Sequence, residues 1–120
     1  MSTVPRTSEL YSIEPNNCPI KDFIDDQGDA KVRARIVRKI EHLEKLDPMQ
    51  YSRPLVDTVE GPIKELRVDQ QIRVLFSVER SPDKVTVVCY NAERKKNGRI
   101  SPALIEQAKE YRQDWVRRQK

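Results

Sequence analysis

The stretch "IKELRVDQQIRVLF", residues 63–76, decides how the chain is read. Two short runs rich in branched apolar residues flank a polar trio, Asp69-Gln70-Gln71, which is the pattern of an antiparallel hairpin. A three-residue loop pairs Val68 with Ile72 and sets Arg67 directly opposite Arg73. A two-residue turn pairs Arg67 with Val74 instead. In the first register two like charges face each other across the ladder, which is unfavourable and gives a purely structural strand little reason to keep them. A polyanion bound between the two guanidinium groups relieves that repulsion.

Upstream, "ELYSI" (9–13) alternates as a short strand, and residues 1–8 read as a flexible leader. In "NNCPIKDFIDDQ", Pro19 opens a helix with Ile20, Phe23 and Ile24 on one side, and Gly28 ends it. From Asp29, an N-cap residue, a second helix carries Val32, Ile36, Ile40, Leu43 and Leu46 on one stripe until Asp47-Pro48 stops it. Residues 48–62, broken by Pro48, Pro54, Gly61 and Pro62, read as a connecting loop. Downstream of the hairpin, "KVTVVCYN" (84–91) follows the turn former "RSPD" as a third strand of a meander. Ser101-Pro102 then start a last helix with the stripe Leu104, Ala108, Tyr111 and Trp115.

The expected order is β-α-α-β-β-β-α: an α+β fold in which a small antiparallel sheet packs against helices, forming a single domain over 9–120. In the second hairpin strand Ile72, Val74, Phe76 and Val78 share the face turned to the helices. Arg73, Leu75 and Ser77 share the other, expected to be an open floor edged with charge.

Net charge is +4 over 120 residues, unevenly divided. Residues 1–63 hold 9 basic and 11 acidic side chains, whereas residues 64–120 hold 14 and 8. The positive potential of the second half suits a polyanion such as nucleic acid. No segment is apolar enough to span a bilayer or resembles a signal peptide, so a cytoplasmic protein without a membrane partner is expected. Cys18 and Cys89 form neither a CxxC motif nor a zinc knuckle and read as reduced structural thiols. Three scattered glycines exclude a P-loop. No metal site is expected, because Asp25-Asp26 lack helical i, i+4 spacing. His42, the only histidine, lies on the second helix away from the hairpin and points to solvent.

The residues with chemical potential are Lys64, Glu65, Arg67 and Arg73 on the hairpin and "ERKKNGR" (93–99) after the third strand. Arginine forks bind phosphate oxygens in pairs, and several cations neutralise the charge of a phosphorane. Surface strands also carry Arg and Lys to protect sheet edges, so this pattern alone leaves both roles open.

Together, a Pro-opened helix with "DFI", a basic helix ending "HLEKLD", the segments "GPIKELR" and "IRVLF", an apolar third strand, a "KK" loop and "SP…E…A…R" resemble the HigB-type toxins. These belong to the RelE/ParE superfamily, in the branch that includes phage-derived toxin-like proteins, and the resemblance spans about residues 9–117. It implies a RelE-like microbial RNase fold and translation-dependent mRNA cleavage on the ribosome, with no metal or cofactor. The ribose 2′-oxygen attacks the adjacent phosphate and leaves a 2′,3′-cyclic phosphate and a 5′-hydroxyl. It also implies a helix-turn-helix antitoxin of the HigA kind, with which alone the toxin oligomerises. By the same resemblance Arg73 matches the strand arginine used on the scissile phosphate, Arg67 the "ELR" arginine, and Lys95 and Lys96 the basic loop residues. Arg73, Arg67 and Lys95 are therefore expected to be catalytic, and Lys64, Arg94, Lys96 and Arg99 of the cationic hairpin and loop to bind RNA.

One departure concerns the general base. Family members often carry a His or Tyr near the C-terminus, whereas here only Tyr111 follows Tyr90 and it fits the core stripe. Glu93 or Glu65, a lysine, or the ribosome's own RNA is left as base. The ParE branch, whose members poison DNA gyrase, and a non-catalytic RNA-binding relic are the competing readings.

Overall fold

A computed structural model describes residues 4–95 and 99–119. The elements run β1 (Arg6–Leu10), α1 (Pro19–Asp25), α2 (Ala30–Lys45), a 3-10 turn (Pro48–Gln50), β2 (Val56–Glu60), β3 (Ile63–Arg67), β4 (Ile72–Ser81), β5 (Lys84–Arg94) and α3 (Pro102–Arg118). The five strands form one sheet in the order β1-β5-β4-β3-β2. All neighbours pair antiparallel except β1, which runs parallel to β5 from Arg6 opposite Val85 to Leu10 opposite Cys89.

The α+β class and the helices agree with the sequence reading, and three details differ. The sheet is mixed and has a fifth strand. Residues 56–60, read as loop, form β2, because Gly61 at φ +54° turns the chain sharply back onto β3. The first strand begins at Arg6, inside the segment read as leader, and its Glu9 and Ser8 bond to α3 and α2.

Helices cover both faces. Ile36, Ile40 and Leu43 of α2, with Ile20 of α1, pack on Leu66, Ile72, Val74, Phe76, Val87 and Cys89. Across the sheet, Ala108, Leu104, Ile105, Tyr111 and Trp115 of α3 pack on Tyr11, Ile63, Leu75, Val88 and Tyr90. The face expected to be an open floor is therefore largely closed: Leu75 and Ser77 are fully buried and Arg73 is only 4% exposed. Ser77 Oγ lies 2.6 Å from the Tyr90 hydroxyl, so these two buried hydroxyls satisfy one another. A bulge in β5 opposite Leu75 and Phe76 puts the consecutive residues Tyr90 and Asn91 both on the α3 side. Cys89 is a buried thiol whose pKa burial pushes up to about 12, and Cys18 is likewise unbonded. Among the described residues, no helix is long and apolar enough to cross a membrane.

Candidate functional site

The β3–β4 hairpin closes with the three-residue loop. Val68 N–H donates to the Ile72 carbonyl at 3.0 Å, and Arg67 faces Arg73. Asp69 builds the turn, its Oδ1 accepting the Gln71 and Ile72 amides, both at 2.8 Å. Arg35 of α2 reaches its other oxygen at 3.2 Å. Burial opposes ionisation of Asp69, but these donors outweigh it and hold the carboxyl below its usual range.

Arg73 clamps the same turn. Its terminal nitrogens donate to the carbonyls of Asp69 (2.5 Å), Ile72 (3.1 Å) and Gln70 (3.2 Å). Burial, and then the charge of Arg67, lower its pKa, though a guanidinium keeps its proton. Among the described residues, Arg67 pairs with one carboxylate, Glu65 at 3.7 Å. The Nε atoms of Arg67 and Arg73 are both buried without a hydrogen-bond partner among the described residues. Two unsatisfied donors on facing like-charged residues are a local cost that an anion would offset.

Strand periodicity divides the expected site residues. Arg67, Glu65, Arg73 and Glu93 share the α3 face, and one surface cleft is lined by Glu65, Arg67, Lys95, Arg99, Ile100 and Pro102. A second cleft brings Arg67 and Arg73 together with Lys39, Leu55, Asp69 and Gln70, so Arg67 stands on the rim of both. Lys64 and Arg94 fall on the opposite face, opposite Phe76 and Ile72. Arg94 is occupied there by Gln71 and Gln27 at 2.9 and 2.7 Å. Lys96 lies outside the described residues. Lys95 is anchored through its backbone, whose N–H donates to the Gln71 carbonyl at 2.6 Å.

The two candidate bases also separate. Glu93 Oε2 accepts the Ser101 amide at 2.7 Å and so caps α3 in place of the Ser101 side chain, which makes no cap bond. Glu65, 7% exposed, sits in the cleft beside Arg67 with no such task. His42 is exposed on α2 and lines neither cleft. Among the described residues, no group of three His, Cys, Asp or Glu side chains could hold a metal. Lys39 is the site residue that the sequence reading missed; its signal is helical spacing, which places it one turn beyond Arg35, the partner of Asp69.

The model for phage-derived Gp49-like proteins (DUF891) matches residues 22–113. This chain belongs to the Gp49-like family. The match runs from α1 into α3 and so includes both clefts of this Gp49-like protein. Among solved structures it is similar to a YoeB/ParE toxin from Agrobacterium tumefaciens, with 12% identity and a TM-score of 0.51 over 64% of this chain and 91% of that one. At that identity the likeness is one of fold. No curated protein matches the Gp49-like chain in sequence.

Proposed function

We propose that this Gp49-like protein is the toxin of a toxin–antitoxin pair. It acts in the cytoplasm as a HigB-type, ribosome-dependent mRNA endoribonuclease and is silenced by a helix-turn-helix antitoxin of the HigA kind. The observation that carries the reading is the pair of facing arginines whose buried Nε donors have no partner, on the rim of clefts that also hold Lys39, Lys95 and Arg99. A scissile phosphate seated there gains two guanidinium groups on its non-bridging oxygens. Glu65 takes the proton of the ribose 2′-hydroxyl as that oxygen attacks phosphorus. The 5′-oxygen leaves with a proton from Lys95, giving a 2′,3′-cyclic phosphate and a 5′-hydroxyl. Arg99 and Lys96 hold the flanking strand. The fold shared with the YoeB/ParE toxin supports the toxin class.

Inducing the protein from a tightly repressed promoter and mapping 5′ ends of cellular mRNA tests the proposal. New 5′-hydroxyl ends inside translated frames are expected, and intact transcripts in arrested cells would refute the nuclease.

One observation favours a second reading. Arg73 spends its terminal nitrogens on turn carbonyls and Glu93 caps α3, which leaves little free acid–base chemistry. A ParE-like gyrase poison, or a non-catalytic binder, needs none. Induction of the DNA-damage response with unbroken transcripts identifies the first, and neither response identifies the second.

A further inference from the structure

Helix α2 carries a basic surface that the cleft chemistry does not use. At 3.6 residues per turn, Lys31, Arg35, Arg38, Lys39 and His42 fall within an arc of roughly 100°, and neither helix carboxylate, Glu41 nor Glu44, lies in it. All are exposed except Lys39, which is half-buried where the arc meets the Arg67–Arg73 cleft. Arg35, Arg38, Lys39 and His42 line a shallow groove of their own. Among the described residues, the one ion pair that touches the arc is Arg35 with Asp69. The arc holds no apolar side chain; Val37, 44% exposed, points to the other flank of the helix.

We infer that this arc is a track for the phosphate backbone of a single RNA strand, leading it past Lys39 into the Arg67–Arg73 cleft. The inference rests on the reading of that cleft as an RNA site. The charge decides the class of partner. Lys31 to His42 spans about 16 Å of helix, long enough to face consecutive phosphates of one extended strand. A protein partner needs an apolar centre to its interface, which the arc lacks.

The test is fluorescence anisotropy with a labelled uridylate dodecamer, titrated at several salt concentrations. The triple variant Lys31→Gln, Arg38→Gln, His42→Gln leaves both turn-building arginines intact and changes only exposed positions, so its melting temperature stays at the wild-type value. Its affinity at about 100 mM salt falls roughly ten-fold, and the salt slope drops by about 1.4, the loss of two permanent charges at about 0.7 each. Lys84→Gln, at the other end of the sheet, keeps wild-type binding. Unchanged affinity and slope in the triple variant overturns the track, as does an equal loss with Lys84→Gln. Unchanged RNA affinity with weakened antitoxin binding also overturns it and assigns the arc to a protein. Because the readout is binding, the track stands if mRNA cleavage is never seen, and cleavage without arc-dependent binding removes the track alone.

Discussion

Arg67 stands directly opposite Arg73 across the β3–β4 ladder, and the two differ in what holds them. Arg73 is buried on three turn carbonyls, whereas Arg67 keeps one distant carboxylate and stays on the cleft rim. Arg73 is thus the fixed wall of the site and Arg67 the adjustable one. Arg67→Ala should leave folding nearly intact and cut ribosome-dependent cleavage at least about a hundred-fold. Arg73→Ala should cost about 2 kcal/mol of stability as well, measured by the denaturant midpoint, because it removes charged donors from three carbonyls.

Glu65 and Glu93 separate by their tasks. Glu65→Gln should lower the rate of cleavage by a hundred-fold or more with RNA affinity held. Glu93→Gln should instead cost about 1 kcal/mol through the weakened cap on α3 and retain most cleavage. Single-turnover rates on programmed ribosomes, set beside thermal melts, check both, and equal losses in the two variants contradict the assignment.

Asp69 ties the hairpin to α2. Its carboxyl is held below its ordinary value in the folded chain, so ionised Asp69 stabilises the fold fully above about pH 4 and loses that contribution as the pH falls through the folded value. Asp69→Asn should therefore lower the melting temperature at pH 6, and the gap to wild type should narrow steadily toward pH 2.5. A gap independent of pH contradicts the role given to the charge.

Leu75 tests which face of the sheet is covered. It is fully buried under α3 in the cluster with Tyr90 and Ala108, so Leu75→Ala should cost about 3 kcal/mol. An open floor would make the same change worth well under 1 kcal/mol, a difference that urea titration resolves easily.

Much of this was legible in the sequence, and the exceptions have physical causes. The hairpin register follows from Asp69, whose side chain can satisfy two loop amides and so favours three loop residues over two. The stripes of α2 and α3 follow from helical period. β2 escaped because "VDTVE" is short, lies among prolines and gains its partner only from the far side of Gly61. β1 was placed late because it is an edge strand with mostly exposed side chains, so "RTSEL" carries no apolar alternation. Arg73 and Ser77 made the α3 face look wet, although the terminal nitrogens of Arg73 and the Ser77 hydroxyl are bonded inside the protein. The separation of Lys64 and Arg94 from Arg67 was available in the two-residue period of a strand, which proximity in sequence obscured.

In the proposed reaction the facing arginines form the phosphate site where mRNA is cut. Purified protein added to ribosomes carrying a defined 5′-labelled message tests it most directly, with Arg67→Ala run in parallel. Wild-type protein should give a fragment ending in a 2′,3′-cyclic phosphate at the ribosomal A site, and Arg67→Ala at least about a hundred-fold less of it. An intact message with wild-type protein, or equal cleavage by both proteins, contradicts it.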